Sequence, residues 1–313
     1  MLEELKHIRY VYHYTSFDTL LVILDNYRRS MSNDGLVFRA NNIRKMNDPK
    51  EMESIFDFVK AYLSKYEPAN VEERFWLHQI ACNRKYEEQC KNEYIIDGNG
   101  FVTMPTMIPY VTSFSAKRDY LPMWTLYGNM GKGVCLKFDT FDLIKNIRLA
   151  ESQSFPNDIY KQIGYVCYSH NTVSKDFEKV FLETYKWYLN DYKNKTDQLT
   201  VDNKINVIGE LCFYLSPFMK YKDYKYEKEF RIAYYRHFGE NASHNISIKD
   251  LFSPHIYKVD DFIEYIIPIS ALKEIIIGPS MEKNVIRHVI LKELYECNIK
   301  IIISESKVPF RLK

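Results

Sequence analysis

The most constraining stretch of the chain is Tyr226-Glu227-Lys228-Glu229-Phe230-Arg231-Ile232-Ala233-Tyr234-Tyr235. Aromatic and branched residues fill its second half and neither Gly nor Pro interrupts it, so the run predicts a strand. Strand side chains alternate between faces. Tyr226, Phe230 and Ile232 then face a core, with Lys228 the exception, and Glu227, Glu229 and Arg231 form a charged row on the other face. Neighbours in that row stand about 7 Å apart, two strand rises. Such a row is either a solvated edge or a cleft wall whose acid needs a cation beside it.

The 313 residues allow one large domain or two small ones. No linker, repeat or low-complexity segment divides them, so we expect a single α+β domain over residues 1–313, with helical insertions at about 47–94 and 173–217. A formal net charge of only +2 argues against a general nucleic-acid coat or a polybasic membrane anchor. The six cysteines lack the two-residue spacing of zinc or thioredoxin-like sites, which predicts reduced, buried thiols and a cytoplasmic setting. The absence of an apolar leader or a run of membrane-spanning length predicts a protein with no membrane partner.

In chain order, Tyr10–Ser16 reads as a strand whose last hydroxyls cap a helix over Phe17–Asn26. Leu36–Ala40 is a second strand. Asn47 or Asp48 caps a helix from Pro49 to Ser64, followed by another over 70–94. Asp97–Gly100 reads as a turn. Ile108–Ser115 is a strand, Leu121–Tyr127 a helical turn, and Gly128–Gly133 a hairpin-type turn feeding the strand Val134–Phe138. Ile163–Tyr168 is a further strand, and helices are expected at 173–190 and 200–217. Leu272–Ile277, a helix over Met281–Glu296 and Cys297–Ile303 form a strand–helix–strand unit, whose helical connection predicts parallel strands. The whole is a central mixed or antiparallel sheet with helical insertions.

Three separated constellations can carry chemistry. His13-Tyr14-Thr15-Ser16 ends the first strand, and such a group either hydrogen-bonds a ribose or amide edge or is satisfied structurally. Thr112-Ser113-Phe114-Ser115 ends another, with Trp124 and Tyr127 soon after; hydroxyls and aromatics there suit a polar ring or a plain strand cap. The third is the row of Glu227, Glu229 and Arg231, where a cleft-facing carboxylate can bind a ribose hydroxyl, stabilise an oxocarbenium ion or act as a base. The Gly278-Pro279-Ser280 turn reads more simply as a strand-to-helix connection than as an anion seat. No metal-ligand pattern is present, so no metal is expected.

Taken in order, His13-Tyr14-Thr15-Ser16, Asn47-Asp48-Pro49 with Glu51, Ser113-Phe114-Ser115 with Met123-Trp124, Gly133 before a strand, and Glu227-x-Glu229-x-Arg231 resemble the bacterial family catalogued as domain of unknown function 2971. The resemblance runs from about Tyr10 to Pro279 and implies a bacterial or phage-associated protein. A looser resemblance links the same three constellations to ADP-ribosyltransferases: a His strand (His13, Tyr14, Thr15), a hydroxyl strand (Ser113, Ser115) and a Glu-x-Glu strand (Glu227, Glu229). Tyr14 stands where that pattern has Gly, and Phe114 where it has Thr.

That second resemblance implies a split sheet and NAD as substrate, cleaved at the nicotinamide–ribose bond by a toxin or phage-defence effector. Glu229 would stabilise the ribosyl cation, Glu227 orient a protein or nucleic-acid acceptor, and Arg231 hold Glu229 or a phosphate. His13, Tyr14, Thr15, Ser113, Ser115 and Trp124 would line the nucleotide pocket. The alternatives are a non-catalytic nucleotide- or nucleic-acid-binding module, suggested by the aromatics and the lysines from Lys220 to Lys228, and a scaffold protein in which the charged row is structural.

Overall fold

A computed structural model describes residues 8–29, 35–46, 48, 50–63, 95–96, 101–103, 107–150, 159–169, 214–237, 246–247 and 262–310. Ten strands form one mixed, mostly antiparallel sheet, making this an α+β protein. They are β1 (Tyr10–Ser16), β2 (Gly35–Asn42), β3 (Met107–Ser115), β4 (Gly133–Asp139), β5 (Arg148–Leu149), β6 (Ile159–Tyr165), β7 (Glu229–His237), β8 (Phe262–Pro268), β9 (Leu272–Ile277) and β10 (Ile302–Glu305). The helices are α1 (Phe17–Arg29), α2 (Ser54–Leu63), α3 (Leu121–Leu126), α4 (Thr140–Asn146) and α5 (Lys283–Glu296).

The sheet runs β10-β9-β4-β1-β3-β2-β8-β5, with β7 on the other edge of β3 and β6 beyond β7. β7 pairs with β3 along its whole length. The opposite edge of β3 is shared. β1 meets it only at Tyr12↔Ser115, and β2 only at Asn41↔Val111 and Asn42↔Tyr110. Both are antiparallel to β3, so β1 and β2 run in the same direction and part from each other along residues 112–114. The sheet forks there, and the two prongs are the ends of β1 and β2 that have left β3.

One face of the sheet carries the main core, in which Val11, Phe114, Phe138, Phe230 and Ile232 pack with Leu20, Ile23 and Leu24 of α1 and Ile290 and Leu294 of α5. The amphipathic spacing of α1 supplies its buried stripe, and Ser16 Oγ accepts the Thr19 N–H at 3.0 Å to cap its start, as the sequence predicts. On the opposite face Tyr12, Tyr14, Met123, Trp124 and Cys135 form a smaller cluster.

Several expectations are corrected. The strand read from Tyr226 begins at Glu229. Lys222–Glu227 is a 3-10 turn and Lys228 is left-handed at φ 47°, held by a hydrogen bond from Ala116 N–H to its carbonyl. Glu227 therefore does not sit in register with Glu229 and Arg231. The helix expected from Pro49 begins at Ser54, because Asp48 Oδ1 accepts the Lys50 N–H at 2.9 Å and closes a turn first. The glycine turn 128–133 joins α3 to β4, so it is no hairpin. Asn129, Met130 and Gly131 all take positive φ in it.

Ile163–Tyr168 divides into β6 and a short strand, Cys167–Ser169, which pairs in parallel with Met219–Tyr221. The strand β8 and the helix α4, capped by Asp139, were not expected. The strand–helix–strand tail is present, with β9 and β10 parallel, although its last strand starts at Ile302. The turn 97–100, the helices over 70–94 and 173–190 and most of that over 200–217 lie outside the described residues. Among the described residues no helix is long and apolar enough to cross a membrane, and Cys135 and Cys297 are buried thiols outside any disulfide.

Candidate functional site

A cavity of about 820 Å3 opens in the fork. Tyr12–Thr15 from β1, Val37–Arg39 and Asn41 from β2 and Val111–Ser115 from β3 line it, with α1 over one end and Glu51, Tyr127, Lys220 and Glu229 at the other. Ligand pockets commonly measure about 300–1,000 Å3. The three constellations read from the sequence thus meet around one hollow, and the register shows how. Tyr12, Ser115 and Glu229 are directly opposite across β1, β3 and β7, so they share a face with Ser113 and Arg231. His13 alternates to the other face, where its ring packs 5.4 Å from Phe38 and 5.5 Å from Phe114. The imidazole and the acid reach one cavity because the fork opens the sheet between its two faces.

His13 closes the edge that the fork leaves open. Its Nδ1 lies 3.0 Å from the Ser113 carbonyl oxygen. A carbonyl only accepts, so Nδ1 carries the proton and Nε2 keeps a lone pair. Burial lowers the imidazole pKa, against a smaller opposing effect of that carbonyl, and His13 is held neutral. On the other prong the Thr112 hydroxyl donates to the Arg39 carbonyl at 3.1 Å.

The acid end is an ion cluster. Arg231 Nη2 donates to Glu229 Oε2 at 2.8 Å and also pairs with Glu51, while its Nη1 donates to the Pro217 carbonyl at 2.5 Å. Lys220 Nζ lies 2.7 Å from Glu227 Oε2 and 3.3 Å from Glu229 Oε2. Both cations hold the same oxygen of Glu229, and neither engages Oε1. Burial opposes ionisation of Glu229, but Arg231 and Lys220 outweigh it and keep its carboxyl below the ordinary range. Ser113 Oγ lies close enough to favour that ionised form, without a hydrogen bond of good geometry.

Glu227 is different. Burial and then the negative charge of Glu229 push it up, with Lys220 and the Tyr127 hydroxyl only partly offsetting them. Burial also raises Glu51, against Arg231 and Lys220. Three carboxyls face two cations, so the cluster is one negative charge in excess when all are ionised, and Glu51 and Glu227 are the two displaced toward the protonated form.

His13, Tyr14, Thr15, Ser113, Ser115 and Glu229 all line the cavity. Tyr14 presents a wall, because its hydroxyl is turned away to the Lys117 carbonyl at 2.8 Å and the Tyr120 N–H at 3.0 Å. The Ser115 hydroxyl is spent on the Glu227 carbonyl, 2.6 Å away. Three predicted residues are set back. Trp124 is fully buried behind Tyr14, its indole N–H bound to Asp119, so it offers no stacking surface to a ligand in the cavity. Arg231 is fully buried and holds Glu229, which leaves no reach to a phosphate. Glu227 is fully buried behind Tyr127 and Lys220 and cannot itself touch an acceptor.

Tyr127 lines the cavity as the second constellation suggests, whereas Glu51 and Lys220, which stand out in the sequence only within the family pattern and the lysine cluster, are given no place in the pocket there, and Arg39 and Lys45 are missed. Glu51 belongs to the Asn47-Asp48-Pro49 pattern, but that pattern carries no role in the pocket for it. A buried lysine seven residues before Glu227 leaves no periodic signal. Arg39 stands exposed at the mouth, pairing with Glu264 at 3.1 Å. No group of His, Cys, Asp and Glu among the described residues is arranged to hold a metal ion.

No curated protein and no solved structure matches the chain. The family comparison is positive over a shorter span than the resemblance from Tyr10 to Pro279, and it includes Tyr127, Lys220, Glu227, Glu229 and Arg231 but not His13, Glu51 or Ser113. Residues 123–232 match the family described as Protein of unknown function (DUF2971).

Proposed function

We propose that this protein is an ADP-ribosyltransferase-like enzyme that cleaves NAD at the nicotinamide–ribose bond. The observation that carries the reading is Glu229 Oε1: an oxygen that neither Lys220 nor Arg231 engages, on a carboxylate kept ionised, at the floor of a cavity that a neutral imidazole also reaches. Such an acid stabilises the cation that develops at the ribose carbon as nicotinamide leaves. The forked sheet plays the part of the split sheet in that comparison. His13 Nε2 accepts from a ribose hydroxyl or the carboxamide. Arg39 and Lys45 at the mouth suit the diphosphate; the Arg39–Glu264 pair is exposed and costs little to exchange. The end beneath α1, with Val22, Ile23 and Phe38, suits a flat base.

Incubation with NAD and candidate protein and nucleic-acid acceptors tests this. Nicotinamide release that is lost in Glu229→Gln, with folding intact, is the expected result. No release and no label transfer with any acceptor would remove the reading.

A second reading has its own support. Glu229 Oε2 is doubly ion-paired and the residue is only 4 % exposed, as suits a structural acid flooring a binding site that does no chemistry. A melting shift with nucleotides and no turnover distinguishes it.

A further inference from the structure

We infer that Tyr127 takes the proton from the attacking nucleophile and passes its own phenolic proton to Glu227, a role that rests on the NAD-cleaving reading above. Glu227 exposes no surface, so no nucleophile in the cavity can touch it. Its two oxygens have one contact each toward the cavity: Oε1 accepts from the Tyr127 hydroxyl at 2.6 Å, and Oε2 from Lys220 Nζ at 2.7 Å. An ammonium ion has no lone pair to receive a proton. Tyr127, half-buried and lining the cavity, is then the route from a bound nucleophile to this carboxylate.

The placement is rigid. Tyr127 closes the end of α3, its N–H bound to the Met123 carbonyl at 2.9 Å. The backbone of Glu227 is pinned from the other side by the Ser115 hydroxyl. The groups facing Glu227 are Lys220 and Glu229 in the cluster, Tyr127 from α3, Tyr224 and Tyr226 from its own turn, and Tyr168. Lys220 is the one cation among them in contact with it. Burial and the neighbouring Glu229 raise its pKa, which suits a base working nearer neutrality than a free carboxylate does.

The step balances as follows. The bond from the nucleophile oxygen to the ribose C1′ forms as the C1′–N bond breaks, and that electron pair leaves with nicotinamide, which departs neutral. The nucleophile proton moves to the Tyr127 oxygen while the phenolic proton moves to Glu227 Oε1. The phenol is neutral before and after, so no tyrosinate accumulates; burial and Glu227 both disfavour one. The proton returns to solvent through the same hydroxyl.

The experiment compares nicotinamide release by the wild-type chain, Tyr127→Phe, Glu227→Gln and the double variant from pH 5 to 9, with melting temperatures as a check on folding. Each single variant should lower kcat by about 100-fold or more and change KM little. Each should also abolish the fall in rate on the acid side, which reports protonation of Glu227. The double variant should be no worse than either single one, because both remove the same relay. A Tyr127→Phe enzyme that keeps kcat and the wild-type acid limb overturns the relay while leaving NAD cleavage standing. A wild-type chain that releases no nicotinamide removes the reading on which the relay depends, and the relay with it.

Discussion

Arg231 and Glu229 lie two residues apart on β7, and their side chains meet at 2.8 Å in a place where neither exposes more than 4 % of its surface. The pair is part of a cluster of three carboxyls and two cations, so its members are not equivalent. Replacing Glu229 by Gln leaves two of each sign, whereas removing Arg231 leaves three carboxyls to one lysine. Arg231→Met should therefore cost about 3–5 kcal/mol, the usual penalty for uncompensated buried charge, and Glu229→Gln about 1.5–3 kcal/mol for a lost charge-assisted hydrogen bond. Urea denaturation at pH 7 measures both. Equal losses would show that the cluster does not carry the excess negative charge.

The same excess gives Glu51 a pH signature. Its folded pKa is raised, chiefly by burial, above its ordinary value of 4.5. A raised acid binds its proton more tightly when folded, so its contribution is full below the ordinary value and is lost as pH rises through the folded one. Glu51→Gln removes that loss while leaving Arg231 bound to Glu229 and the Pro217 carbonyl. Between pH 5 and 8 the variant should lose less stability than the wild-type chain. Parallel stability curves over that range would contradict it.

These two acids also mark how far the sequence could be read. The ends of β1 and β3, the hydroxyls of Ser113 and Ser115 and the acid at Glu229 were legible because alternation and strand boundaries are local signals. The strand β8 was legible in the same way and was passed over: Asp260-Asp261 and Pro268 bound the largely apolar run over residues 262–267. The displacement of Glu227 from the charged row, by contrast, was invisible. Lys228 takes φ 47°, which its side chain does not advertise, and the turn is fixed by hydrogen bonds from Ser115 and Ala116, more than a hundred residues away. Lys220 and Glu51 join the site through tertiary packing alone.

His13 ties the fork to pH in the opposite sense from Glu51. Burial lowers its folded pKa below the ordinary 6.5. The unfolded chain then takes up the proton first as pH falls, so the contribution is full above about 6.5 and is lost as pH drops toward the folded value. His13→Ala should abolish that acid-side loss. It should also cost about 1–3 kcal/mol at pH 7, because the Ser113 carbonyl loses its partner on the edge of β3 that neither β1 nor β2 pairs there. Thermal melts of the two proteins between pH 5 and 8 measure both effects, and an unchanged acid limb would mean that His13 titrates normally in the fold.

The register of the β1 prong is set from outside the cavity, at Gly133. This residue opposes Ser16 across β1 and β4, and a Cβ placed on it would stand 2.1 Å from the Thr15 carbonyl oxygen and 2.9 Å from that of Gly128. Both obstacles are backbone, one at the end of β1 and one in the turn after α3, so no side chain can swing aside. Gly278 packs as tightly against the same turn, its own added Cβ falling 2.3 Å from the Gly131 carbonyl oxygen, which blocks retreat in that direction. Gly133→Ala must push the end of β1 toward the fork, where Thr15 and His13 line the cavity. The expected cost is about 3 kcal/mol, at the upper end for overpacking, and under the NAD-cleaving function proposed above NAD binding should weaken beyond what the stability loss explains. Lys132→Ala, one residue earlier and exposed, should change neither, and denaturation with a binding titration on both variants separates the two effects.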